Sequence, residues 1–211
     1  MPNSFQGFPT VPRLPWDDLY ILTTFESLDN FVVDESMKGF VYFYGGDLFL
    51  RPSRNPTDYC GFQWRKTLTI PPTSWAKDRL FRTKANFQKE GTTSGIHRLW
   101  TGDPFNSQGF GFQLENNLLK GVTHGVGGET KLTLEDLGSA WSSIFRRLEA
   151  KYNAGASVEF IVDGISKGTI TTTLPNPATT TDAEYIFTPW VVQVGAWDLL
   201  KLSYFMFWQE A

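Results

Sequence analysis

One alternating segment, from Ser157 to Pro175, constrains the fold of this chain more than any other part of the sequence. It reads SVEFIVDGISKGTITTTLP, with apolar and polar residues alternating on both sides of Asp163-Gly164. Because side chains alternate faces along a strand, Val158 and Phe160 are predicted to share one face. Asp-Gly is favoured between two such runs, since both residues of a tight hairpin turn take positive φ. The pattern predicts a β-hairpin and, with it, a β-sandwich.

Length and composition set the class of protein. The chain has 211 residues, fits a single domain, and contains 41% hydrophobic and 16% aromatic residues, which suffices for a core without metals or disulfides. Its net charge of −3, with acids and bases mixed, argues against a nucleic-acid surface, which normally carries a basic stripe. No apolar run approaches the roughly 20 residues that span a bilayer. The single cysteine, Cys60, lies in an apolar strand-like run and is predicted to be a buried filler.

The first seventeen residues are predicted to be an extended arm, because their prolines fix φ and remove backbone donors. The predicted domains are therefore an N-terminal arm (1–17) and a sandwich domain (18–211). Two interpretations of the arm stay open: it folds back on its own domain, or it docks on a neighbouring subunit. The segment has no basic start and no apolar stretch, so no secretory signal is predicted and synthesis in the cytosol is expected. The side chains available for docking are Phe5, Phe8, Leu14 and Trp16.

From residue 18 onward the sequence has the pattern of strands separated by turns. Residues 141–148 are ambiguous, because Trp141, Ile144, Phe145 and Leu148 have helical spacing. A strand over 144–152 is favoured, since a short turn and the strongest strand follow it, with one helical turn near 138–143. The other predicted strands are 19–25, 31–33, 39–44, 47–51, 59–70, 80–88, 97–101, 110–115, 118–124, 130–134, 191–195 and 199–208.

Several passages resemble the concanavalin A-like lectin/glucanase superfamily, which includes laminin-G-like domains. They are FESLDNFVV…GFVYFYGGDLFLRP, GFGFQLENNLLKGVTHG, LEAKYNAGASVEFIVDGISKGTITTTLP and LLKLSYFMFWQE. The resemblance implies an all-β jelly roll, a two-sheet antiparallel sandwich with layers about 10 Å apart. In this family one sheet is curved, and its concave face often holds sugars. Many relatives bind calcium, but this sequence has no clustered Asp/Asn motif. Whether a metal binds is therefore left open, and no cofactor is expected.

Catalysis in this superfamily requires two carboxylates that flank the glycosidic bond. In the bacterial glucanases that the resemblance points to, the usual signature is three acids on one strand, Glu-x-Asp-x-Glu. This sequence has no such run. Glu115 and Glu159 can in principle meet across the concave sheet, although solvated strand positions are the favoured interpretation. His97 and His124 have no Cys, Asp or Glu at ligand spacing, so neither a zinc site nor a triad is predicted. A non-catalytic protein is expected.

Ligand-binding candidates come from loop aromatics and from outward-facing strand residues. Trp75 and Trp100 lie near loops, where an exposed indole face can stack on a sugar ring, whereas the other tryptophans sit in or beside apolar runs. If Phe110 and Phe112 face the core, the residues between and after them face outward. The candidates are Trp75, Trp100, Phe105, Gln113, Glu115 and Glu159.

Three functions follow, in order of preference. The first is a non-catalytic structural or adhesive protein on a virion surface, such as a capsid decoration or tail protein. It would contact other protein subunits, or copies of itself, through the arm, with surface glycans as further partners, and would reside on a virion or another extracellular surface. The second is a carbohydrate-binding module or lectin, and the third is a glycan hydrolase. The first is preferred because the sequence combines a sandwich and a proline-rich arm with no enzyme motif, secretion signal or disulfide.

Overall fold

The computed structural model describes residues 19–23, 32–33, 39–52, 59–65, 73–90, 96–102, 108–138, 145–179, 185–192 and 197–210, and every structural statement below concerns these residues. They contain sixteen strands and no helix, arranged as two eight-stranded antiparallel sheets. The predicted all-β sandwich is therefore confirmed. The predicted arm (1–17) and the helical turn expected beyond Gly138 lie outside the described residues.

The first sheet has the strand order β13-β12-β11-β6-β16-β4-β3, with β1 also paired to β16. Its long central strands are β6 and β16, and most of the pairing between strands distant in sequence involves one of these two. The strands are β1 (Leu19–Thr23), β3 (Gly39–Tyr44), β4 (Asp47–Pro52), β6 (Arg79–Glu90), β11 (Phe145–Asn153), β12 (Ser157–Val162), β13 (Ile165–Ile170) and β16 (Trp197–Gln209).

The second sheet has the order β10-β9-β8-β7-β15-β5-β14, with β2 also paired to β5. Its first four strands form a meander from β7 to β10, which places their outward side chains side by side. The strands are β2 (Val32–Val33), β5 (Tyr59–Arg65), β7 (Ile96–Gly102), β8 (Gly109–Glu115), β9 (Leu118–Gly125), β10 (Gly128–Asp136), β14 (Tyr185–Phe187) and β15 (Trp190–Val192).

The two hairpins with the strongest sequence signals form as predicted. Asp163 (φ 52°) and Gly164 (φ 85°) connect β12 to β13, and Asn116 (φ 51°) and Asn117 (φ 65°) connect β8 to β9. Both central residues of each turn lie in the left-handed region, which gives the turn a twist that matches the flanking strands. The ambiguous segment is also a strand, β11, because it pairs with β6 on one side and β12 on the other. The strand β14 was not predicted.

The space between the sheets is filled by aromatic rings. Phe81 on β6 is fully buried, and its ring centroid lies 5.8 Å from that of Phe112 and 6.0 Å from that of Phe110, both on the facing sheet. Phe187 of the facing sheet stacks on Phe205 at 4.0 Å. Edge-to-face and offset arrangements such as these add to the free energy of burying the rings. The alternating residues of β6 and β8 therefore connect the two layers through one aromatic core.

Candidate functional site

The outer face of the second sheet brings a group of charged, amide and indole side chains together near its centre. Pairing places Arg98 of β7 opposite Gln113 of β8 and Trp190 of β15, and Gln113 opposite Lys120 of β9. The next positions carry Glu115 and, on β10, two more charges. We call this surface the Arg98 face; its residues are Arg98, Trp100, Gln113, Glu115, Lys120, Glu129, Lys131 and Trp190.

Arg98 is the centre of this face. Its Nε donates to Gln113 Oε1 at 3.0 Å, and its Nη2 donates to Glu129 Oε2 at 2.7 Å. The guanidinium carbon lies 4.9 Å from the ring centroid of Trp100 and 5.3 Å from that of Trp190. An arginine held between aromatic rings and a carboxylate combines cation–π and charge-assisted contacts, so its position is well fixed.

Glu115 and Glu129, the two carboxylates of the Arg98 face, are both in ion pairs. Glu115 Oε2 accepts from Lys120 Nζ at 2.9 Å and lies 3.7 Å from Lys131 Nζ. The hydrogen bond from Lys120, together with the charges of both lysines, outweighs the opposing effect of partial burial and lowers the pKa of Glu115. Burial acts to raise the pKa of Glu129, but Arg98 and Lys131 outweigh it, so that pKa is lowered as well. Both carboxyl groups are therefore ionised at neutral pH.

Gln113 and Glu115 lie on the side of β8 opposite the core, as the alternation with Phe110, Phe112 and Leu114 predicts. Gln113 is nevertheless only 1% exposed. Its amide oxygen accepts from Arg98, and its amide nitrogen donates to Glu115 Oε2 at 3.1 Å. Gln113 is thus a connecting residue within the face, covered by the charged side chains beside it.

The pairing of Glu115 with Glu159, which the sequence left open as the less favoured interpretation, does not occur. Glu159 belongs to β12 of the first sheet, where its neighbours Val158 and Phe160 point into the core. Glu159 therefore lies on the outer side of the first sheet, 3.8 Å from Lys151 Nζ, whereas Glu115 lies on the outer side of the second. The whole core separates the two carboxylates, so they do not form a pair.

The expected aromatic platforms are also wrong, because Trp75 is 0% and Trp100 is 1% exposed. Trp75 packs edge-on against Tyr152, whose hydroxyl donates to the Trp75 carbonyl at 2.8 Å. Trp100 lies on the Arg98 face, but its indole crosses Gly109 so closely that a Cβ there would lie 2.5 Å from Nε1. Neither tryptophan presents a ring face to solvent. The third aromatic candidate, Phe105, lies outside the described residues.

Sequence reasoning missed five residues of the Arg98 face: Arg98, Lys120, Glu129, Lys131 and Trp190. A signal was present in KLTLE, where polar and apolar residues alternate as on a half-buried strand. The alternation alone does not say that β10 and β15 flank the same sheet as β7 and β8, so the charges could not be assembled into one face.

The histidines give no metal centre in the described part of the chain. His97 points into the core beside Phe87, with ring centroids 5.8 Å apart, and burial lowers its pKa to about 3. Among the described residues no group of three or more His, Cys, Asp or Glu side chains is placed to hold a metal ion. The same residues include no helix that is long and apolar enough to cross a membrane.

Comparison with known proteins identifies the fold. No protein-family model and no curated protein sequence matches the chain. A β-1,3-1,4-glucanase (lichenase) from a mouse hindgut metagenome matches with TM-score 0.64 and 9% identity, covering 90% of this chain and 98% of that one. The β-glucanase of Bacillus licheniformis matches with TM-score 0.60 and 10% identity, covering 90% and 97%.

A third similar structure is the binding domain of botulinum neurotoxin serotype D, with TM-score 0.58 and 9% identity. The match covers 91% of this chain and 47% of the toxin domain, so the chain spans about half of that structure. At such identities the similarity shows the fold alone. The fold is the concanavalin A-like jelly roll, which confirms the resemblance seen in the sequence.

Proposed function

We propose that this jelly-roll protein is a non-catalytic structural and adhesive component of a virion surface, such as a capsid decoration or tail protein. The observation that carries the non-catalytic part is the ion-paired state of Glu115 and Glu129 on the Arg98 face. A glycosidase needs one carboxylic acid whose pKa is raised, so that it can protonate the leaving oxygen. Lysine and arginine side chains lower the pKa of both carboxyl groups here, whereas an acid catalyst requires a raised pKa.

The assembly part of the proposal is supported by the composition of residues 1–17. Their apolar side chains are separated by prolines, which restrict the unbound segment and so reduce the entropy lost on docking. Such a segment can bind through its aromatic side chains, and the neighbouring subunit does not need a dedicated folded site to receive it. The partner we propose is a neighbouring subunit of the same particle.

Deleting residues 1–16 should abolish incorporation into purified particles and leave the melting temperature of the sandwich nearly unchanged. The physical reason is that the arm buries its aromatic side chains on another subunit and not on its own core. Incorporation is measured by mass spectrometry of the particles, and stability by calorimetry. The matched control replaces Phe5, Phe8, Leu14 and Trp16 with alanine and keeps the length. A large drop in melting temperature in both variants would assign the arm to its own domain and contradict the proposal.

A second candidate function, glycan binding, is favoured by Trp190. It is partly exposed on the Arg98 face, and its ring lies beside a fixed guanidinium. Aromatic rings beside hydrogen-bonding groups suit the alternating apolar and hydroxyl surfaces of sugars.

One panel of polysaccharides and glycans separates the two candidates and tests for catalysis. We expect no release of reducing ends from β-glucans by the wild-type chain, because Glu115 and Glu129 stay ionised. Binding to any glycan that Trp190→Ala weakens about tenfold or more, with unchanged melting temperature, would establish the second candidate. Cleavage that is lost in Glu115→Gln would overturn the non-catalytic proposal.

A further inference from the structure

Six strands pair with a single other strand among the described residues, and four of them carry features that discourage pairing with another chain. Unpaired edge backbone groups bind further strands unless charge, a bulge or shortness prevents it. The edge strand β13 contains Lys167 and pairs across a register shift at Phe160/Ile161. The edge strand β10 carries several charges and a shift between Thr133 and Glu135. The strand β2 has only two residues, and β14 has three residues and an irregular register.

The other two, β1 and β3, have none of these features, and β3 is the longer of them. It reads GFVYFY, without charge or proline, and it pairs with β4 in continuous register from Gly39 to Tyr44. Tyr42 is 40% and Tyr44 is 77% exposed. A Cβ built on the turn residue Gly45 would meet no atom within 4 Å, so the tip of the hairpin projects into open space. Within the described structure β4 is the only strand that pairs with β3.

The backbone of β3 offers a regular set of hydrogen-bonding groups at this edge. Gly45 and Gly46 form a two-residue turn, so Tyr44 and Asp47 are the closing pair of the hairpin. Hydrogen-bonded and non-hydrogen-bonded pairs alternate along an antiparallel ladder. The N–H and C=O groups of residues 39, 41 and 43 therefore point away from β4, toward the open edge.

On the outer side of the first sheet, a row of stacked side chains runs across the strands and ends at the β3 edge. The Tyr42 ring stacks on Phe49, with centroids 4.9 Å apart and an interplanar angle of 3°. The Lys201 ammonium lies 5.1 Å from the Phe49 centroid and is held by Asp47 at 2.8 Å. These residues share one row, since Lys201 pairs with Phe49 and Phe49 with Tyr42. Tyr42 is the last ring of the row, and its other face is directed to the open edge.

We propose that β3 is a dimer interface, in which it pairs antiparallel with β3 of a second copy about a two-fold axis at Tyr42. In this register residues 41 and 43 of one copy exchange hydrogen bonds with residues 43 and 41 of the other. Tyr42 then faces Tyr42 of the second copy in a non-hydrogen-bonded pair, where Cα atoms approach to about 4.5 Å. Stacking of the two rings continues the row from one copy into the next.

Charge and symmetry support a second copy of the same chain as the partner of β3. A strand without charge meets its own copy without repulsion, whereas a charged partner strand would find no complementary group on β3. A two-fold axis uses one surface twice, so a single unprotected edge suffices to close the assembly as a dimer. The interface involves neither the Arg98 face nor residues 1–17, so it goes beyond the proposed function and stands independently of it.

Sedimentation of the full chain should give twice the chain mass, and Tyr42→Lys should weaken the association about 100-fold or more. The substitution places two ammonium groups at the axis, where like charges face each other. The matched control is Val126→Lys, an exposed position on the turn between β9 and β10, which should remain dimeric. A wild-type chain that stays monomeric at high concentration overturns the proposal.

Disulfide trapping tests the register. Oxidised Tyr42→Cys should form covalent dimers at least ten times faster than Tyr44→Cys, although Tyr44 is the more exposed side chain. In the proposed register residue 44 faces residue 40, so the two introduced thiols at 44 lie about 14 Å apart, beyond disulfide reach. The wild-type chain corrects for cross-linking through its natural Cys60. Equal or faster trapping through position 44 overturns the Tyr42 axis.

Discussion

Acidification from pH 7 to pH 3 should lower the free energy of unfolding by roughly 4 kcal/mol through His97 alone. His97 is fully buried in the core beside Phe87, and burial lowers its pKa from 6.5 to about 3. Between these two values the unfolded chain binds a proton that the folded chain does not. Stability is therefore lost as the pH falls through this window. The expected loss is a large share of the 5–15 kcal/mol that holds a typical domain folded.

Urea unfolding at pH 7, 6 and 5 isolates this effect. The pKa of Glu115 and that of Glu129 are both lowered, so their contribution to stability is lost as the pH falls through the ordinary carboxyl pKa of about 4.3 and below it. Between pH 6.5 and 5 the expected loss from His97 is about 1.5–2 kcal/mol. His97→Gln should remove most of this slope, whatever its stability at pH 7. His124→Gln, which removes the other histidine from a partly exposed position, should keep it. An equal slope in wild type and His97→Gln would show that another group is responsible.

The parts of the fold that the sequence predicted are those fixed by local chemistry. Asp163-Gly164 and Asn116-Asn117 suit positive φ, so their hairpins could be placed from dipeptides and the alternation around them. The Asp47–Pro52 strand likewise follows from a Gly-Gly turn. The strand β14 was missed because it is three residues long and belongs to the sheet only through its pairing with β5. Local pattern carries no information about such a pairing.

The candidate site was less predictable, because it depends on which strands become neighbours. The outward positions of Gln113 and Glu115 followed from alternation on one strand. Glu159 was assigned to the same face, but its hairpin pairs through β11 into the opposite sheet. The two loop tryptophans were misjudged for a related reason. Nearness to a loop does not reveal that Tyr152, 77 residues away, packs against Trp75, or that Gly109 on the adjacent strand leaves room for the indole of Trp100.

Truncation of the central core ring should have the largest effect of any single change outside the histidine titration. Phe81→Ala is expected to cost about 3–5 kcal/mol, the usual range for a buried phenylalanine. Its ring lies within 6.3 Å of Phe110, Phe112 and Phe187 on the facing sheet, centroid to centroid, so the cavity would open between the layers. Phe81→Leu, which fills part of this volume, should cost roughly 1–2 kcal/mol and serves if the alanine variant does not fold.

Chemical unfolding followed by both near-UV and far-UV circular dichroism measures this loss and shows whether the sheets unfold together. Because the aromatic core is shared by both sheets, the two signals should change at the same urea concentration, and both midpoints should shift equally in Phe81→Leu. Ile165→Ala, at an exposed position on β13 away from the proposed dimer interface, is the control and should leave the midpoint nearly unchanged. A Phe81 variant as stable as this control would mean that the facing sheets do not share one core. The aromatic contacts that connect the two layers would then contribute little to holding them together.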